Sequence, residues 1–257
     1  ENPMAKPILV ANWKNHPGSL NEARTLLKQL SRNSKLYKKL AFFIAPPFTY
    51  FESVSERLGN FGKLASQNIS SLPPGTYTGQ ITSDILKSFG VKLAIIGHSE
   101  RRRFGETSEH IAKKVKVALR SGMAALVCVG EISRDRDGEH FEFLREELKG
   151  SLAGLNRKTD VSKLAVAYEP VWAIGKRATD AIEPADLKQS VIFIRKVLTD
   201  MFGRPAAERV PILYGGSVEP ANAGILFSET SIRGFLVGHA SLNAKTFKEI
   251  AESLISK

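Results

Sequence analysis

The chain has 257 residues and a mass of 28.2 kDa, with 42% hydrophobic and 25% charged residues, close to an ordinary globular protein. These figures exclude a disordered chain, a collagen-like repeat and a small disulfide scaffold, and the longest apolar runs are too short to span a bilayer. Lys plus Arg is 37 and Asp plus Glu is 26, a net charge of +11 that admits nucleic acid, an anionic membrane surface, an anionic small substrate or simply a lysine-rich surface.

The N-terminus lacks the basic stretch and apolar core of a signal peptide. Met4 is the expected natural start, with Glu1 to Pro3 left over ahead of it. Cys128 is the one cysteine, so no intrachain disulfide forms, which fits a reducing, cytoplasmic location. No low-complexity stretch or Pro/Gly/Ser-rich linker divides the chain, so residues 1–257 read as one domain.

Short apolar runs recur along the chain, each followed by a longer amphipathic stretch. In order they are Ile8–Ala11, Ala41–Ile44, Lys63–Ser66 (the weakest), Leu93–Ile96, Ala125–Val129, Leu164–Tyr168, Ile212–Tyr214 and Phe235–Val237. They do not alternate apolar with polar, so they suit strands buried on both faces, as in a parallel sheet covered by helices. The intervening segments carry helical spacing. Ile111, Val115, Ala118 and Leu119 form one stripe, and Leu187, Val191, Ile194 and Leu198 another. Phe247, Ile250, Ala251, Leu254 and Ile255 form a third, and Pro184 suits a first helical turn. Eight strand-plus-helix units of roughly 32 residues predict an α/β fold, a (β/α)8 barrel, whose usual length is about 250 residues. An open doubly wound sheet is the alternative. It would more often carry a Gly-rich dinucleotide fingerprint after the first strand, where this chain has Asn12-Trp13-Lys14.

In such a barrel the functional groups gather where strands end. Here those ends carry Asn12 and Lys14, then Gly97-His98-Ser99-Glu100-Arg101, then Glu169-Pro170-Val171-Trp172, then Gly215-Gly216-Ser217, and last Gly238-His239. Each has a bland alternative. A strand-end Lys or Asn is usually solvated surface, a lone His is more often structural, and Gly-Gly is commonly a turn. Their joint placement on one rim carries the case. The loops after the seventh and eighth strands are the usual phosphate location, a carboxylate after the sixth can act as a general base, a His after the fourth can serve a substrate oxygen, and a Lys after the first can stabilise negative charge. No cluster has metal-ligand spacing, and no nucleophile elbow or cofactor motif is present.

The chain resembles the triosephosphate isomerase family over nearly its whole length. The resembling segments are Ala11 to Lys14, Ile44 to Pro47, Gln67-Asn68, Tyr77 to Gly79, Gly97 to Arg102, Cys128 to Glu131, Ala167 to Gly175, Tyr214 to Val218 and Leu236 to Gly238, in the family's order. The resemblance implies interconversion of dihydroxyacetone phosphate and D-glyceraldehyde 3-phosphate through an enediolate, without cofactor or metal. Its residue roles are carried over from a family that is a standard example of tuned acid–base chemistry. Glu169 matches the base and His98 the neutral electrophile. Lys14 matches the group that stabilises enediolate charge, Asn12 supports the oxyanion side, and Glu100 pairs with Lys14. Pro170, Val171, Trp172, Ala173, Ile174, Gly175 and Lys176 match the closing lid. Gly175, Ser217, Gly238 and the neighbouring His239 fall at the phosphate, and Tyr214 and Ser217 at the lid latch. The family is usually a homodimer, and Thr78 matches the residue that reaches the partner's site.

Four departures from the family pattern stand out. Lys176-Arg177 replaces Thr-Gly at the lid tip, and His239 replaces the second Gly after the eighth strand. Gln80 replaces a Glu after Thr78-Gly79, and Asn15-His16 follows Lys14 at the position that receives the partner's loop. Two other readings stay open at this point. Phosphate loops alone would allow a different sugar-phosphate enzyme on the same barrel. The net charge would allow a basic binding protein, although no basic run interleaved with aromatics supports nucleic-acid binding, and Lys35 to Lys39 reads as a solvated helix-to-strand connection.

Overall fold

A computed structural model describes residues 6–135, 137–173 and 182–255. Eight strands form one closed parallel barrel in sequence order. They are β1 (Ile8–Asn12), β2 (Ala41–Ala45), β3 (Lys63–Ser66), β4 (Leu93–Ile96), β5 (Ala124–Val129), β6 (Leu164–Tyr168), β7 (Ile212–Tyr214) and β8 (Gly234–Val237). Closure comes from β1 against β8, with Ile8 opposite Gly234 and Ala11 opposite Val237. β3 is the least extensively paired of the early strands, matching two residues of β2 and two of β4.

The helices fill the connections: α1 (Leu20–Ser31), α2 (Ser34–Tyr37), α3 (Phe51–Leu58), α4 (Ser83–Ser88), α5 (Ser99–Arg103), α6 (Ser108–Arg120), α7 (Glu139–Ser151), α8 (Pro184–Phe202), α9 (Arg204–Arg209), α10 (Pro220–Glu229) and α11 (Ala244–Ser253). Several starts are specified locally. Ser19, Thr107 and Asn243 each accept a backbone N–H in the first turn of α1, α6 and α11, which satisfies donors the helix leaves orphaned. Pro184 stands in the first turn of α8, where its missing N–H costs nothing.

Two apolar layers follow from the period of two along each strand. One set, including Ile8, Val10, Phe43, Ile95, Leu126, Cys128, Ala165 and Leu213, forms a separate cluster drawn wholly from strands. This set fills the barrel interior. The alternate residues, including Leu9, Phe42, Ile44, Ile96, Val127 and Phe235, join the helix stripes in a larger outer cluster. Gly234 is fixed by that closeness, because a Cβ there would lie 1.7 Å from the Ile8 carbonyl oxygen and its φ is +144°.

The Lys35–Lys39 stretch differs from expectation. It connects α1 to β2, but it includes the short helix α2, and Tyr37 is fully buried. The Tyr37 ring stacks on Phe42 at 4.5 Å and neighbours Phe61 and Phe247. The lysines flanking it are solvated while the aromatic ring turns inward. No helix among the described residues is long and apolar enough to cross a membrane.

Candidate active site

The C-terminal ends of the strands surround a cavity of about 260 Å³. Asn12, Lys14, His98 and Glu169 line it together with Gly215 to Ser217, Gly238 and His239. Seven of the expected site residues, Asn12, Lys14, His98, Glu169, Ser217, Gly238 and His239, therefore meet on one rim, although they are spread over more than 200 residues of sequence.

Lys14 follows β1 in a left-handed conformation, with φ +51°, the one described non-glycine residue with positive φ. That conformation costs a non-glycine residue about 1–2 kcal/mol, and local bonds hold it. The Lys14 N–H donates to Asn12 Oδ1 at 3.0 Å, and Gln67 Nε2 donates to the Lys14 carbonyl at 2.7 Å. Its ammonium then reaches Glu100 Oε1 at 2.7 Å, the pairing anticipated from sequence. Burial raises the Glu100 pKa, but the hydrogen bond and charge of Lys14 outweigh it and hold the carboxyl below its ordinary value.

His98 caps α5. Its Nδ1 accepts the Glu100 N–H at 3.2 Å. A ring nitrogen that accepts a backbone N–H carries no proton, which assigns the neutral tautomer with its proton on Nε2. His98 lines the cavity, and its Nε2 lies 3.4 Å from Glu169 Oε1.

Glu169 is 1% exposed. Its Oε2 accepts the Ser99 N–H at 3.1 Å, while Oε1 has no hydrogen-bond partner. A buried carboxylate oxygen left free is costly in a resting protein, and it is suited to accepting a proton from a ligand. Gly215 gives the side chain room, since a Cβ there would approach Glu169 Cγ to 2.8 Å.

The segment after Glu169 is held from below. Trp172 Nε1 and the Tyr168 hydroxyl each donate to Glu131 Oε1 at 2.8 Å, and the Val171 N–H donates to the Glu131 carbonyl. The Tyr168 and Tyr214 hydroxyls are both pushed above their ordinary pKa by burial. Ser217 Oγ donates to the Ala173 carbonyl at 2.9 Å, and the Tyr214 hydroxyl lies beside the Ile182 backbone. Pro170, Val171, Trp172 and Ala173 are thus described, whereas Ile174, Gly175, Lys176 and Arg177 fall outside the described residues.

Thr78 stands apart from this cavity, in a run from Leu72 to Gln80 that is exposed throughout. A second cavity of about 240 Å³ opens beside Lys14, on the side of Phe48, Gln67 and Arg101. Sequence reasoning gave no role to Glu131, although it lies in the recognisable Cys128 to Glu131 segment.

A sequence model of triosephosphate isomerase matches residues 7–254. The chain belongs to the triosephosphate isomerase family. Among its relatives, the triosephosphate isomerase of Citrifermentans bemidjiense is 40% identical over 250 residues, covering 96% of this chain and 98% of that protein. The Fusobacterium nucleatum triosephosphate isomerase is 40% identical over 255 residues, covering 97% and 99%. That of Geobacter metallireducens is 39% identical, covering 96% and 98%. The triosephosphate isomerase likeness thus runs through the rim cavity and every described strand.

Proposed function

We propose that the rim cavity interconverts dihydroxyacetone phosphate and D-glyceraldehyde 3-phosphate, with Glu169 as the base. The free Oε1 of Glu169, 3.4 Å from a neutral His98, is the observation that carries this reading. Glu169 removes a carbon-bound proton beside the carbonyl and returns it to the neighbouring carbon. His98 Nε2–H polarises the carbonyl and moves protons between the two oxygens of the enediolate. Lys14 offsets the charge that develops there, Glu100 fixes its position, and Asn12 supports the oxyanion side. Such preorganised donors act most strongly in a site that excludes water.

Phosphate binding falls to the loops after β7 and β8. Ser217, Gly238 and His239 supply it there, joined by Gly175 from the lid. Lid residues Pro170 to Lys176 close over the substrate, latched by Tyr214 and Ser217. Closure excludes water and protects an enediolate that otherwise eliminates phosphate.

The enzyme works as a homodimer in the cytoplasm. The exposed run around Thr78 and the cavity beside Lys14 are where this reading places the contact between the two copies. A coupled assay with both trioses tests the activity, and no isomerase turnover in the unaltered chain refutes it. His98→Gln lowers kcat by about 10²–10⁴-fold, the usual worth of a positioned acid–base group. Much faster turnover of another sugar phosphate would favour the alternative enzyme class.

A further inference from the structure

A largely buried ion pair lies outside the lining of the rim cavity. Glu147 on α7 and Arg102 on α5 approach to 3.3 Å, with side chains 9% and 16% exposed. Arg102 Nε donates to the Gly97 carbonyl, immediately before His98, at 2.9 Å. Its Nη2 donates to the Cys128 carbonyl and to Ser151 Oγ, each at 2.9 Å. One guanidinium therefore ties the ends of β4 and β5 together.

Glu147 Oε2 accepts the Gly130 N–H at 2.8 Å. Gly130 lies between the two backbone bonds that hold the end of β6. On one side the Glu169 N–H donates to the Val129 carbonyl, and on the other the Val171 N–H donates to the Glu131 carbonyl. The packing between them is close. A Cβ on Gly130 would lie 1.9 Å from the Glu169 carbonyl oxygen. Any displacement of Gly130 is therefore passed to the backbone of Glu169.

We propose that Glu147 and Arg102 are positioning residues for the isomerisation: by gripping Gly130 and the Gly97 and Cys128 carbonyls, they hold Glu169 and His98 in register. The proposal rests on the assignment of Glu169 and His98 as the reacting groups. Positional precision of this kind acts on the chemical step, because a reacting atom misplaced by about 1 Å costs on the order of 10²-fold. Neither Glu147 nor Arg102 lines the rim cavity, so substrate phosphate is not reached by the pair. Burial raises the Glu147 carboxyl pKa, in keeping with a group retained for its bonds and not for exposure to solvent.

The test compares Glu147→Gln with Glu147→Leu. Both remove the charge opposite Arg102, but only Gln keeps an oxygen for the Gly130 N–H. The Leu variant is expected to lose about 10-fold or more in kcat, with KM for dihydroxyacetone phosphate and the dissociation constant for inorganic phosphate within twofold of the unaltered enzyme. The Gln variant recovers most of that kcat at a similarly reduced melting temperature. Should the Leu variant not fold, Arg102→Lys serves in its place. It leaves a charge beside Glu147 but cannot span both carbonyls, and it is expected to lower kcat at unchanged KM. Equal kcat in all variants, or a loss confined to KM, overturns the proposal. Glu169→Asp run in the same assay separates the two readings. An unimpaired Glu169→Asp removes the base assignment, whereas an impaired Glu169→Asp with an unimpaired Glu147→Leu removes only the positioning role.

Discussion

At the level of single residues, the rim pairs each reactive group with a partner that fixes its state. His98 accepts from α5, Lys14 leans on Glu100, and one oxygen of Glu169 is tied to Ser99 while the other stays free. Cys128 shows the opposite case of a reactive type made inert. It is buried inside the barrel, and burial, reinforced by the negative charge of Glu169, pushes its thiol well above the ordinary range. Only the thiolate is nucleophilic, so iodoacetamide at pH 8 is expected to leave the native chain unlabelled while alkylating the urea-unfolded chain fully. Equal labelling rates would contradict the described burial.

Among the secondary-structure elements, the strands other than β3 were legible because each carries a continuous apolar run, whereas β3 has only Leu64 and Ala65 between Lys63 and Ser66. The structure extends β1 and β2 by one residue each and β5 and β8 by one at the start. Asn12, Lys14, His98 and Glu169 were legible for a related reason, since a barrel presents strand ends on one face. What stayed hidden are contacts with no periodic signature. Gln67 meets Lys14 across 53 residues, and Arg102 meets Ser151 across 49. Tyr37 was misread because the lysines around it dominate the local pattern, while the ring packs against β2 and α11. Phe42→Ala would empty the stacked face of that cluster. The expected loss is about 3–5 kcal/mol of unfolding free energy, measured by urea titration at fixed protein concentration. A loss below about 1 kcal/mol would mean that the cluster does not anchor β2.

For the whole molecule, the +11 charge now has a narrower meaning. On the proposed assignment, Lys14, backbone N–H groups and helix ends supply the local field for a phosphorylated triose, so the substrate does not require the whole excess. The assembly follows a different logic. A run from Leu72 to Gln80, exposed over its full length, lies in the same molecule as an open cavity beside Lys14. Mutual insertion of the two would give a symmetric interface, as in most homodimers. Sedimentation equilibrium at micromolar concentration should therefore report twice the 28.2 kDa chain mass. A monomer with full activity would remove both the dimer and its importance for catalysis.

The central claim is that Glu169 carries the proton between the two carbons, and following dihydroxyacetone phosphate by NMR in D2O tests it most directly. The unaltered enzyme should form D-glyceraldehyde 3-phosphate bearing deuterium at C2, because a proton held on the carboxyl exchanges with solvent before it is returned. Glu169→Asp should slow both product formation and deuterium uptake by about 10²–10⁴-fold, with the fold retained by circular dichroism. Unchanged turnover and unchanged deuterium uptake in Glu169→Asp would contradict the account.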